Sequence, residues 1–229
     1  MSKTSKNILG DQRGKIGKVV GRVVEGEQMY SAAPGLRGSS ASPKQKEHRA
    51  RFSTIIRMSK PLKGAIKIGM KESASKRHLL SPSNLFVNHN LQHTTYDTAT
   101  GSATPIYSEI ILAEGEVPYA SFGTPSLDVP QQVTVTFTGN NDWPGAFEDD
   151  KIYAVAYCPD INQSALAFTE RSTGTVTIQL PSNWTGKTFH LWGFALTSVT
   201  EKYELESYGI AIIPGECSSS VYIGSGMIG

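Results

Sequence analysis

The chain has 229 residues, 38% of them hydrophobic and 9% aromatic, which suits a folded core of ordinary size. No apolar run approaches the ~20 residues of a membrane-spanning helix, so no membrane span is expected. The formal net charge is only +2, yet residues 1–80 carry 18 Lys and Arg against five Asp and Glu, a net of +13, and residues 81–229 carry four against 15, a net of −11. This asymmetry concerns partners and association rather than fold.

The chain opens on a polar, glycine-rich stretch without the apolar core of a secretory signal. Synthesis in the cytoplasm without general secretory export is therefore expected. An assembled extracellular or virion-like particle is left open as a destination. In GDQRGKIGKVVGRVVEGEQMYSAAP, the glycines Gly14, Gly17, Gly21 and Gly26 alternate with Lys15, Lys18 and Arg22. A phosphate-binding loop would need Ser or Thr after its lysine and a strand before it. Here Ile16 and Val19 follow the lysines, and no strand-like run precedes Gly10. The Gly-x-x-x-Gly spacing needs an apolar host helix, and this host is charged. The remaining reading is a β-ribbon: KIGKVVGRVV and EQMYSAAP as two strands around a Glu25–Gly26 turn.

A linker, GLRGSSA, leads to helical signals. Ser42, Pro43 and Gln45 form a helix start, and Phe52, Ile55, Ile56, Leu62, Ile66 and Met70 recur near helical spacing. Pro61 predicts a break or kink. Ser81 and Pro82 start a shorter helix carrying Leu85 and Phe86. From Tyr96 the texture changes. TTYDTATGSATP reads as loop and PIYSEIILAEGEVP as strand and turn. Seven short β-type runs follow, over 131–138, 151–158, 164–170, 174–180, 187–197, 206–213 and 218–224. The expected fold is α+β: a glycine-rich N-terminal β-ribbon plus basic helices over 1–95, then an antiparallel immunoglobulin- or fibronectin III-like β-sandwich over 96–229.

Catalytic signals are weak. His89 and His93 have the i, i+4 spacing of a zinc helix, but Asn90 stands where the general base belongs. Solvated or capping histidines are the preferred reading. Cys158 and Cys217 give neither a disulfide framework nor a zinc site. Two reduced, buried thiols are expected, with a single bridge as the alternative. Asp142 and Phe147–Asp150 lack a regular calcium-loop pattern. The chain is expected to be no enzyme and to need no cofactor or metal.

RGKIGKVVGRVVEGEQMYSAAP, SPKQKEHRARF, MSKPLKGAIKIGMK and the late SSSVYIG resemble, in that order, the signature segments of domain-of-unknown-function family 6266 of Bacteroidota. The sequence departs from the pattern at Glu25–Gly26, where lysine–glycine is usual, and at Ser31, where arginine is common. The resemblance implies a β-sandwich in the second half and carries no activity. A similar layout of Gly, Arg, Pro and Gln occurs in phage structural proteins.

The charge pattern gives the functional expectation. The assembly arm is Gly14, Lys15, Gly17, Lys18, Gly21, Arg22 and Gly26. The basic helix face is Lys44, Arg49, Arg51, Arg57, Lys63, Lys67 and Lys71. The acidic partner surface is Glu148, Asp149, Asp150, Glu201, Glu204 and Glu206. A non-enzymatic structural protein that self-assembles head to tail, as a filament or phage-like particle, follows from these three sets. The alternatives are a nucleic-acid-associated protein of a virion or chromosome, and an adhesive or glycan-binding sandwich if Trp143 or Trp184 stands exposed in a loop.

Overall fold

A computed structural model describes residues 2–4, 13–24, 27–33, 41–77, 81–205 and 210–228. The chain divides into two compact units, Met1–Ser42 and Pro43–Gly229.

The first unit is a four-stranded antiparallel sheet of β1 (Ser2–Thr4), β2 (Gly14–Ile16), β3 (Val19–Val24) and β4 (Glu27–Ala32), in the order β1-β4-β3-β2. KIGKVVGRVV, expected as one strand, is two. Gly17 takes φ +58°, a conformation natural to glycine, and the chain reverses at Gly17–Lys18 so that Ile16 faces Val19. The expected Glu25–Gly26 turn lies outside the described residues, and the strands on either side of it pair from Val24↔Glu27 to Val19↔Ala32.

In the second unit, α1 (Pro43–Ser59) starts at the expected proline and ends before Pro61, and α2 (Lys63–Gly69) and α3 (Lys71–Lys76) follow. The next helix, α4 (Pro82–Asn90), has Ser81 as its N-cap, whose hydroxyl accepts from the Asn84 N–H at 3.2 Å. Ile55, Met58, Ile66, Leu85 and Phe86 turn inward. Phe52, which helical spacing placed with them, is 46% exposed.

TTYDTATGSATP is not a loop but a hairpin, β5 (Thr94–Asp97) with β6 (Ser102–Pro105). The Asp97 side chain holds its turn by accepting from Ala99 N and Thr100 Oγ1. The expected strand in PIYSEIILAEGEVP is instead a 3-10 turn, Tyr107–Glu109, and an extended buried connector. Side chains and helix ends satisfy that connector where a ladder would otherwise do so. Asn90 donates to Ile111 O and accepts from Ile111 N, Leu112 N donates to Ser220 Oγ, and Glu114 N donates to Gly69 O.

The sandwich matches the runs expected over 131–138, 151–158, 164–170, 174–180 and 187–197; the run expected over 218–224 is displaced to Val221–Met227, and the run expected over 206–213 lies partly outside the described residues. It contains β7 (Ser121–Phe122), β8 (Gln132–Thr138), β9 (Lys151–Cys158), β10 (Gln163–Glu170), β11 (Thr175–Gln179) and β12 (Thr188–Leu196). A small hairpin of β13 (Tyr203–Leu205) and β14 (Ile210–Ile212) precedes the last strand, β15 (Val221–Met227). One sheet runs β10-β9-β12-β15 and the other β11-β8-β7. β11 returns to lie beside β8, and β12 returns to lie between β9 and β15. This is the Greek-key arrangement of an immunoglobulin- or fibronectin III-like sandwich.

The larger sheet is buried on both faces. Ile152, Ala154, Ala156 and Cys158 of β9, with Leu191 and Ala195 of β12, pack against Val133, Val135 and Ile178 of the smaller sheet. The alternate residues Tyr153, Val155, Tyr157, Trp192 and Phe194 pack against Ile55, Met58, Ile66 and Phe86 of the helices. The helices therefore form a third layer on the sandwich. The division expected at 95/96 followed the change from helical to β-type texture, whereas the compact units divide at Ser42/Pro43. Gly193 permits the inter-sheet packing: a Cβ there would meet Phe122 Cζ at 2.1 Å.

One buried ion pair closes an end of the sandwich. Arg171 and Asp150 are both inaccessible, and Arg171 Nε donates to Asp150 Oδ2 at 3.1 Å. The carboxylate also accepts from Phe147 N and Ser198 N, and the guanidinium donates to Gly139 O and Pro118 O. Removing one partner leaves a buried charge unpaired. Arg171→Met should therefore cost about 3–5 kcal/mol, read as a lower urea midpoint for the full chain.

Candidate interaction surfaces

The register of the N-terminal sheet sorts the arm residues onto two faces, because directly opposed residues share a face. Gly14, Ile16, Val19, Gly21, Val23, Tyr30 and Ala32 share one, and it is uncharged. Lys15, Val20, Arg22, Val24, Glu27 and Met29 share the other. Arg13 through Val19 are all exposed, and only Gly21 and Gln28 are buried among the described residues of this unit. Ile16 is 57% exposed, Val19 41% and Val24 41%. Gly26 lies outside the described residues.

On the helices, Lys44, Arg49, Arg57, Lys63, Lys67 and Lys71 are exposed. Arg51 is tied into the fold. It bonds Glu47 Oε1 at 2.8 and 3.0 Å and Thr94 Oγ1 at 3.0 Å, and it also donates to Thr94 O, so α1 is pinned to β5. Lys71 stands 3.9 Å from Glu72.

The acidic set is split. Glu148, Asp149 and Glu201 are exposed, and Asp149 and Glu201 line one cleft beside Ser198 and Lys202. Asp150 is no surface group; it is the buried partner of Arg171. Glu204 lies on β13 opposite Ala211, and Glu206 is outside the described residues.

Some basic and acidic side chains from the two halves of the sequence pair within the second unit. Lys76 Nζ lies 2.7 Å from Glu216 Oε1, a carboxylate that is 1% exposed, and Glu216 holds the lysine pKa above its usual range. Arg77 pairs with Glu114 at 2.6 Å and His89 with the same carboxylate at 3.3 Å. His93 Nδ1 lies 3.0 Å from Glu109. The two histidines of the zinc-like spacing thus bind separate carboxylates, and no group of metal-ligating side chains gathers among the described residues. Cys158 and Cys217 are free and buried in different core layers.

Sequence spacing missed an aromatic cluster between the helix layer and the sheet. Tyr107 stacks on His190 with ring centroids 3.7 Å apart, His190 Nδ1 bonds the Tyr222 hydroxyl at 3.0 Å, and Trp192 meets Tyr222 edge-on. These residues come from a 3-10 turn and two strands, so their distant numbers hide the contact. A cleft of about 220 Å³ opens beside them, lined by Arg57, Met58, Pro105, Tyr107 and Tyr157. Trp184, the other inward tryptophan, is fully buried, whereas Trp143 is 47% exposed in a loop and meets Tyr119 edge-on at 5.5 Å.

Residues 11–202 match the profile of a family of unknown function (DUF6266). The chain belongs to that family. No curated protein and no solved structure matches it.

The cluster makes stability depend on pH. Burial pushes His190 down from its ordinary value to about 4. Between that value and the unfolded imidazole near 6.5, the unfolded chain binds the extra proton and the folded chain does not. Stability is therefore full above this window and falls as pH drops through it. His190→Phe should flatten the decline, seen by comparing urea midpoints of variant and parent at about pH 7 and about pH 4.5.

Proposed function

We propose that this chain is a non-enzymatic structural protein that self-assembles, the basic N-terminal arm of one copy packing on the acidic sandwich of the next. The carrying observation is a sheet whose described residues build no core. Its large apolar residues Ile16, Val19 and Val24 stand exposed, and none of its described residues joins either apolar cluster. A sheet of this size needs a packed face to be stable. The charge balance supports the same partner: residues 1–42 carry seven Lys and Arg against three acids, and residues 43–229 carry 15 against 17. A head-to-tail contact of this kind repeats into a filament or closes into the shell of a phage-like particle. An origin in Bacteroidota is part of this proposal, supported by the likeness of the signature segments in the sequence.

Two further readings each have one supporting observation. Exposed Lys44, Arg49, Arg57, Lys63 and Lys67, together with exposed Phe52, favour a nucleic acid partner. Exposed Trp143 with Tyr119 favours a glycan.

The test is the particle state. Light scattering after size exclusion should give oligomers at about 50 mM salt that shrink at about 500 mM, as screening weakens the charged contact. Deleting residues 1–34 should give a folded monomer. A monomer at both salts for the intact chain refutes the assembly reading. Nuclease-sensitive co-purification would move the assignment to the nucleic acid reading.

A further inference from the structure

The larger sheet ends in β10, at the edge of the order β10-β9-β12-β15. Its residues are QSALAFTE, eight in all. Soluble proteins blunt such edges with lysine, proline, bulges or short strands. β10 has no lysine, arginine or proline, and its pairing with β9 runs without a register shift from Gln163↔Cys158 to Glu170↔Lys151. The other edges are guarded. β15 has a register shift against β12 at Leu191/Trp192, β7 has two residues, and β11 turns Thr175, Thr177 and Gln179 outward. β10 instead presents Leu166, 42% exposed, and Phe168, 56% exposed, on the same face. Phe168 continues an aromatic row through Tyr153 to Phe194, with centroid separations of 5.3 and 5.2 Å. The row starts in the core and ends at solvent.

The C-terminal end of this strand is acidic. Glu170 closes β10, and the next turn is tied to the acidic loop by Ser172 N donating to Glu148 O, with Asp149 adjoining. Lys151 lies over the Phe168 ring.

The N-terminal sheet has the complementary edge. β2 ends the order β1-β4-β3-β2, and Gly14, Lys15 and Ile16 are all exposed. Exposed Arg13 and Lys18 flank it. We infer that β10 is the receptor strand for assembly, and that β2 of a second copy adds to its free edge, with Ile16 beside Leu166 and Phe168 and the flanking cations near Glu170 and Glu148. Two four-stranded sheets then become one continuous sheet running from copy to copy. Backbone hydrogen bonds supply the pairing, and the alternating side chains supply the register. This rests on the self-assembly reading and adds to it the place where the arm docks.

The experiment uses the intact chain. Leu166→Lys with Phe168→Lys places two charges on an exposed edge, so the thermal midpoint and circular dichroism should stay near the parent's while light scattering shows monomer at about 50 mM salt. A second measurement does not depend on that variant folding well. Copies carrying only Ile16→Cys are mixed with copies carrying only Phe168→Cys under mild oxidation. The expected product is a disulfide-linked heterodimer on a non-reducing gel, reversed by thiol. If the parent assembles but the lysine variant assembles equally and no heterodimer forms, the β10 assignment is wrong and the self-assembly reading stands. If the parent is monomeric at both salts, both fall together.

Discussion

The second unit depends on a single constraint: β9 and β12 are covered on both faces. Every residue of β9 after Lys151 is buried, and its side chains alternate between two different cores. A strand in an ordinary sandwich shows one face to its partner sheet and the other to water. Here the second face is closed by helices, and for that reason Tyr153, Tyr157, Trp192 and Phe194 can be large and aromatic where a solvent-facing strand would carry threonine or lysine. The smaller sheet keeps the ordinary pattern, with Val176 and Ile178 inward and Thr175, Thr177 and Gln179 outward. Removing the helix layer would expose an aromatic face too large for a soluble domain. The helices are thus part of the sandwich's stability rather than an appendage to it.

The charge asymmetry takes a different meaning once this packing is known. Read along the chain, it is a dipole of +13 against −11. Read by compact unit, it is an arm of net +4 and a body of net −2, because the helical cations share a unit with the sandwich carboxylates. Lys76 with Glu216 and Arg77 with Glu114 are where the two halves meet inside one chain. The Lys76 pair has the more consequential geometry. Its carboxylate is almost wholly buried, and without the lysine it would be a charge left in a low-dielectric site. Among the described residues, Lys44, Arg49, Arg57, Lys63 and Lys67 stay exposed on α1 and α2.

The parts of the fold that were legible from sequence are those set by local rules. Alternation of Val133, Val135 and Phe137 with threonines marked β8, and Pro43, Pro61 and Pro82 marked helix starts and a break. Tertiary rules set the rest. The connector Ile110–Ala113 looks like a strand because it is apolar, but Asn90 and Ser220 satisfy backbone groups that a ladder would otherwise need. TTYDTATGSATP looks like a loop because it is polar and rich in turn formers, yet Arg51 and Thr54 of α1 hold its two strands by their backbone oxygens. Asp150 looked like part of a surface charge run. Its burial could be read only once Arg171, 21 residues later, was seen to reach it. Among the proposed interaction residues, exposure of the arm lysines and most helix cations agrees with their polar surroundings. Leu166 and Phe168 carried no signal, because an apolar residue at an edge reads the same as one in a core.

That last ambiguity bears on why the molecule keeps such an edge. Within β10, Ala165 and Ala167 face the smaller sheet and are partly buried in its core, while Leu166 and Phe168 face the opposite side and remain exposed. A lysine at Leu166 would protect the edge, whereas Phe168 also packs on Tyr153 at the rim of the core, so Leu166 is the residue that the folding of one chain explains least. The N-terminal sheet poses the same problem in reverse: it pairs four strands by backbone hydrogen bonds, and none of its described residues joins an apolar cluster. Two features that each weaken an isolated chain become mutually consistent when one copy's arm is set against another copy's edge. Neither the central sheet nor the buried ion pair has to change for that contact to form.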